Sequence, residues 1–208
     1  MSNDDDVPTP IDFHDMTQAR AWEANTIARR PWRPKFFQTF ADALNTHFTR
    51  PITVLELGSG PGHLAEAILS NCAIEKYTAL DFSEAMHAIA RERLAPFLDK
   101  TEFVSRDFRD ADWPKGLGQF DAVVTHQAAH ETRHVRRLND LLTRARTCLN
   151  KDGVLLYCDH YQKPETPNPA LYLARDQQIP ALEAAGFSGI TLLLDEGGMA
   201  LYASNPVA

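Results

Sequence analysis

Between Pro51 and Leu64 the chain reads PITVLELGSGPGHL, and this run limits the folds open to it more than any other. Ile52 to Leu57 is β-branched and aliphatic apart from Glu56, the composition of a strand buried on both faces of a parallel sheet. Gly58, Gly60 and Gly62 follow at alternate positions, where a backbone without Cβ atoms turns at positive φ and lies close to a ligand. Pro61 suits the first turn of the next helix, so that helix points its free N–H groups and positive dipole end at the same place. Strand, glycine turn and helix together read as a nucleotide cradle.

A cradle of this kind is completed by an acid at the end of the next strand, which takes ribose hydroxyls. Lys76 to Leu80 (KYTAL) is a short strand that ends at Asp81, 19 residues beyond Gly62 (81 minus 62). The order E-x-G-x-G-x-G and then a strand-terminal acid resembles the class I S-adenosylmethionine-dependent methyltransferases of small-molecule type, over roughly residues 50 to 204. A dinucleotide dehydrogenase more often carries G-x-G-x-x-G, whose last glycine is replaced here by His63.

The resemblance implies an α/β fold: a doubly wound, Rossmann-like, mostly parallel sheet with one antiparallel strand and N-terminal helices packed near the cofactor site. It implies S-adenosyl-L-methionine as cofactor and methyl transfer to an O, N or C acceptor on a small molecule. The implied cofactor contacts are Glu56, Gly58, Ser59, Gly60, Gly62, Asp81, Phe82, Met86, Asp107, Phe108, His126 and Gln127. Among them Asp107 falls where the family's acid accepts from the adenine amino group, and Phe108 or Phe82 where a ring stacks on adenine.

The 208 residues suffice for one sizeable core, and 21 Lys plus Arg against 28 Asp plus Glu give a net charge of −7. That charge disfavours nucleic acid as a partner. Cys72, Cys148 and Cys158 lack zinc-like spacing and imply reduced thiols. No apolar run reaches membrane-spanning length, so a cytoplasmic protein with no membrane partner is expected, its oligomeric state open.

Residues 1–12 are acidic and proline-containing, and a disordered tail is expected there. Residues 13–49 are expected to form a helical lid, with helices over Asp15–Ala28 and Pro34–Phe48 broken at Arg29-Arg30-Pro31-Trp32-Arg33-Pro34. Trp22, Asn25, Arg29, Arg30 and Trp32 are its candidate substrate contacts, against the reading of a solvated basic hinge. From residue 50 to 208 strands alternate with helices: Glu102–Ser105, Phe120–Thr125 and Val154–Cys158 as strands, Ser83 as a helix N-cap, one long helix after strand four, and a hairpin at Glu196-Gly197-Gly198.

Methyl transfer from a sulfonium is an in-line displacement, so positioning outweighs acid–base chemistry. Ligands of such sheets lie at the carboxyl ends of the strands, which brings forward His126, Gln127 and His130 after strand four and Asp159, His160 and Tyr161 after strand five. His126, His130 and His160 are the candidate bases or acceptor anchors, against the simpler reading that they cap strand ends. His130-Glu131-Thr132-Arg133-His134 also matches H-E-x-x-H, the zinc motif of metallopeptidases, which requires both histidines on one helix face. That match is a distant alternative function. A binding protein that holds the cofactor without transferring methyl is another, and no metal is expected.

Overall fold

The computed structural model describes residues 6–207. The elements follow in the order α1 Met16–Arg29, α2 Arg33–His47, β1 Ile52–Leu57, α3 His63–Asn71, β2 Ile74–Asp81, α4 Glu84–Arg93, β3 Thr101–Ser105, β4 Phe120–His126, α5 Leu138–Thr147, β5 Leu149–His160, α6 Gln178–Ala184, β6 Phe187–Glu196 and β7 Met199–Pro206. One sheet carries all the strands in the order β3-β2-β1-β4-β5-β7-β6. The first five run parallel, and β7 is antiparallel to both its neighbours. The expected α/β doubly wound sheet with one antiparallel strand is the observed one.

Strand alternation sends neighbouring residues to opposite faces, and a core lies on each. Leu55 and Leu57 join Trp113, Phe120, Leu141, Leu155 and Tyr157 on one face. Ile52 and Val54 join Phe36, Phe40, Leu44, Ile68 and Tyr77 on the other. α2 belongs to this second core, because Phe36, Phe37, Phe40 and Leu44 recur at helical spacing and are all buried. Ser83 caps α4 as expected, its Oγ accepting from Met86 N at 2.9 Å.

Two stretches differ from their sequence expectation. β5 begins at Leu149 and absorbs Asn150–Gly153, with a register irregularity between Phe120 and Ala122 where it meets β4. The long helix after β4 is instead two short turns, Ala129–Thr132 and Val135–Arg137, before α5. Arg133 sits between them at φ 65, and the His130 N–H is drawn to the Asp159 carboxylate at 2.9 Å, which stops a continuous helix from forming.

Of the expected disordered tail, residues 1–5 lie outside the described residues. The rest is corrected by the structure, where residues 6–12 run as a strap. Val7 N donates to Arg133 O at 3.0 Å, Arg133 donates back to Val7 O at 2.8 Å and Pro8 O at 2.7 Å, and Arg137 holds Asp6 at 2.6 Å. The physical cause lies in Arg133, a buried guanidinium whose donors are satisfied by the strap's carbonyls. Among the described residues no helix is long and apolar enough to cross a membrane.

At the lower edge of the sheet Asp121 ties β4 to β1. It accepts from Arg50 at 2.7 and 3.1 Å, from Thr53 N at 2.9 Å and from Asn150 at 3.1 Å. The Arg50 bonds lead in holding its carboxyl down at about 2. A depressed carboxylate stabilises the fold above its ordinary value, and that contribution is lost as pH falls from about 4 to about 2. Asp121→Asn is expected to cost about 1–2 kcal/mol at neutral pH and nothing below pH ~2, since Arg50 faces water and screens part of the pair; urea melts at the two pH values measure it.

Candidate active site

The carboxyl ends of β1, β2 and β4 open into a cleft. Gly58 N and Ser59 N both donate to Leu80 O, at 2.8 and 3.0 Å, which fastens the glycine turn to β2. Gly58 has φ 71, and a Cβ on it would stand 2.3 Å from Ala128 Cβ. Gly58→Ala is therefore expected to destabilise the fold by about 2–4 kcal/mol, read as a fall in melting temperature. A Cβ on Gly60 meets nothing within 4 Å, so the turn presents open space to the cleft it lines.

Gly60 N donates to Asp81 Oδ2 at 2.8 Å and Ser83 N to Asp81 Oδ1 at 2.9 Å. Burial raises the Asp81 carboxyl to about 6, with these backbone bonds pulling the other way. The side chain thus arrives at the cleft prepositioned, with lone pairs left for further donors. Around it stand Phe13, Trp22, Phe82, Met86 and Phe108. Phe13 meets Trp22 and Phe82 edge-on at 5.6 and 6.3 Å, and Ser83 Oγ donates to Phe13 O at 2.5 Å, so Phe13 closes this end.

Two implied contacts lie elsewhere. Gly62, at φ 81, opens α3, and a Cβ there would press on Ala90 at 3.2 Å, so it spaces α3 against α4. Asp107 turns its carboxylate to Arg109, with bonds of 2.9 and 3.0 Å, and is absent from the cleft wall that Phe108 joins. The remaining implied contacts, Glu56, Gly58, Ser59, Gly60, Asp81, Phe82, Met86, Phe108, His126 and Gln127, all line the cleft.

The other end of the cleft holds Glu56, Arg33, His63 and His126. Glu56 is buried, accepts from the Tyr77 hydroxyl at 2.8 Å, and is raised by burial to about 8. The Arg33 guanidinium lies 5.5 Å over the Phe37 ring, with Nε and one terminal nitrogen buried and unbonded. His126 is packed against Phe36, Phe37 and Phe40, with centroids 5.0 to 6.1 Å away, and burial keeps it neutral. Its Nε2 has no bonding partner among the described residues.

A second cavity adjoins the first and shares Phe13, Trp22, His130 and Glu131 with it. Its other walls include the strap, Tyr172 and the loop Thr166–Asn168. His130 Nδ1 donates to Asp159 Oδ1 at 2.8 Å, while its Nε2 lies 3.3 Å from Glu131 Oε1. Burial opposes a charged ring here, yet Asp159 and Glu131 outweigh it and raise His130 to about 10. His130 therefore rests as an imidazolium. His160, 6.1 Å away between ring centroids, is lowered by burial to about 4, and its Nε2 lies 2.6 Å from the Gln127 amide. Three histidines that look alike in sequence thus have three environments: a caged neutral ring, a charged one and an amide-bonded neutral one.

His130 and His134 do not share a helix face. Arg133 interrupts the turn with positive φ, and His134 Nδ1 accepts from Arg136 N at 3.1 Å at the start of the next. Among the described residues no group of three or more His, Cys, Asp and Glu side chains is placed to hold a metal ion. Of the expected lid contacts, Trp22 lines both cavities, whereas Trp32 packs against Gly197 and the Asn25 amide donates to Ala21 O at 2.7 Å. Sequence reasoning missed Arg33, Phe13 and His63. A signal existed for Arg33, a cation in helical register with Phe36, Phe37 and Phe40.

Residues 54–153 match a family model described as a methyltransferase domain. Among solved structures, an O-methyltransferase family protein from Burkholderia thailandensis has a TM-score of 0.74 at 18% identity, covering 94% of this chain and 61% of that one. The 1,6-didemethyltoxoflavin-N1-methyltransferase of the same organism, with 1,6-didemethyltoxoflavin and S-adenosylhomocysteine bound, has a TM-score of 0.67 at 17% identity, covering 98% and 94%. The non-reducing polyketide synthase prhL of Penicillium brasilianum is 27% identical over 136 residues, 61% of this chain but 5% of the synthase. The chain thus spans a small fraction of the curated relatives it matches. The fold is that of the class I S-adenosylmethionine-dependent methyltransferases. Residues 54–153, which carry the match to the methyltransferase-domain model, include the glycine turn and Asp81.

Proposed function

We propose that the chain transfers a methyl group from S-adenosyl-L-methionine to an O, N or C atom of a small molecule seated in the second cavity. The observation that carries this reading is the common wall: the nucleotide cleft and the second cavity meet at His130 and Glu131, so a donor in one and an acceptor in the other are adjacent. The cleft fits the cofactor, since the glycine turn leaves open space at Gly60, Asp81 waits buried for hydroxyl donors, and Arg33 has unbonded donors. Glu56, Gly58, Ser59, Asp81, Phe82, Met86, Phe108 and Gln127 would hold it. When bound, it supplies an electrophilic methyl group on a sulfonium.

The chain's own residues then orient the acceptor. His130, charged and held between Asp159 and Glu131, brings a cation to the junction, beside which an oxygen or nitrogen anion of the acceptor would be favoured electrostatically. Residues 13–49 act as a lid, with Phe13 and Trp22 excluding water from the junction. Three free cysteines fit a cytoplasmic setting. The test is incubation of the purified chain with S-adenosylmethionine and a panel of phenols, heteroaromatic amines and β-dicarbonyl acids. Acceptor-dependent formation of S-adenosylhomocysteine is expected. Tight cofactor binding with no acceptor-dependent product across the panel would favour a binding module instead.

A further inference from the structure

The wall of the second cavity carries a charge balance opposite to that of the chain. His130, Arg133 and Lys163 line it as cations, and Glu131 is the one carboxylate among its described lining residues. The chain as a whole has a net charge of −7. Glu131 is also occupied, because Arg133 Nη1 donates to one of its oxygens at 2.7 Å and His130 Nε2 lies 3.3 Å from the other. Arg133 is satisfied in turn by Glu131, Val7 O and Pro8 O. This wall therefore offers no free acid to a cationic guest.

Lys163 differs from the other cations. Its ammonium makes no hydrogen bond or ion pair among the described residues, and it stands 5.7 Å from the centroid of the Tyr161 ring. Gly198 makes room for it: at φ 80, a Cβ there would stand 2.6 Å from Lys163 Nζ and 2.8 Å from its Cε. Backbone bonds fix both sides of this seat. Tyr161 N donates to Gly198 O at 3.2 Å, Gln162 N to Leu173 O at 2.8 Å and Lys163 N to Thr166 Oγ1 at 2.7 Å. The ammonium is thus placed at the cavity wall with its donors free.

The cavity also has a direction. His130 and Glu131 belong to the wall shared with the nucleotide cleft, whereas Lys163 and Gly198 line the second cavity alone. Phe13, Trp22, Tyr161 and Tyr172 add rings to the wall, with Tyr172 centred 5.3 Å from His130 and 5.8 Å from His160. Such a wall suits a flat guest.

We propose that the acceptor is a planar aromatic carboxylate, with the atom to be methylated at the His130 wall and the carboxylate at Lys163. This names the substrate class of the methyl-transfer reading and rests on it. Lys163 is a binding residue here, and its effect shows in acceptor affinity before any turnover is measured.

The experiment is calorimetry on protein saturated with S-adenosylhomocysteine. The probes are para-hydroxybenzoate and the longer para-hydroxycinnamate, each beside its neutral primary amide, with para-hydroxybenzylamine as the cation. Wild-type protein is expected to bind each carboxylate about 5- to 30-fold more tightly than its amide, the scale of a charge-assisted bond to a partly exposed ammonium, and the amine most weakly. Added salt should shrink the preference. Lys163→Met should erase it while leaving amide and S-adenosylhomocysteine affinities within about threefold of wild type, and Lys163→Arg, which keeps the charge, should retain it. Equal binding of carboxylate and amide by wild-type protein overturns the proposal, as does tighter binding of the amine, no binding of either carboxylate, or a preference that survives in Lys163→Met. Any of these leaves the cofactor reading intact. If S-adenosylhomocysteine itself does not bind wild-type protein, the cofactor reading fails and the proposal with it.

Discussion

His130→Gln is expected to lower turnover by about 10²- to 10⁴-fold while S-adenosylhomocysteine affinity stays nearly constant. The ring sits on the wall shared by the two cavities, and Asp159 fixes its orientation through both the ring Nδ1 and the backbone N–H of the same residue, at 2.8 and 2.9 Å. Glutamine keeps a polar side chain but loses the cation that an ionised acceptor needs beside it. The pH behaviour separates this role from that of an ordinary histidine base. A free imidazole would give an acid limb near pH ~6.5. Asp159 and Glu131, overcoming burial, hold the His130 proton up to about 10, so no such limb is expected from this group and activity should fall instead on the alkaline side. Asp159→Asn removes the stronger of the two partners, and the alkaline limb should move towards neutral pH. Full turnover in His130→Gln would show that the ring is not at the acceptor.

Asp81→Ala is expected to weaken cofactor binding by roughly tenfold to several hundredfold, the scale of charge-assisted hydrogen bonds of about 1.5 to 3 kcal/mol. Asp81 is 6% exposed, and Gly60 N and Ser83 N hold one oxygen each. Its removal takes away the acceptor for the ribose hydroxyls and also frees the glycine turn from its anchor. Asp81→Asn separates these effects, because the amide oxygen still accepts one backbone bond but the charge is gone. Calorimetry on both variants gives the comparison, and a loss in Asp81→Ala with full retention in Asp81→Asn would assign the effect to turn geometry alone.

The nucleotide cleft was legible because its parts are local. β1 matches its expected bounds residue for residue, and Ser83 caps α4 where its hydroxyl and its place before an apolar helix face said it would. Glycines at alternate positions and an acid at a strand end need no distant partner to be recognised. The acceptor side was harder to read, because its chemistry depends on contacts far apart in the chain. His130 is held as a cation by Asp159, 29 residues away, together with its neighbour Glu131, and the same carboxylate of Asp159 takes the His130 backbone N–H. The strap was misread for the same reason: residues 6–12 bury little of their own and are held by Arg133, more than a hundred residues later. Arg33 was overlooked because it stands in a basic, proline-containing stretch that reads as a break between helices, whereas α2 begins at Arg33 and only the burial of its guanidinium shows that it faces inward.

The central claim is that this cleft is built for S-adenosylmethionine, and titration of wild-type protein with S-adenosylhomocysteine in a calorimeter tests it most directly. The account predicts saturable binding of one ligand per chain, competed by S-adenosylmethionine and lost or sharply weakened in Asp81→Ala. No heat of binding with folded wild-type protein, or binding that Asp81→Ala leaves unchanged, would contradict it.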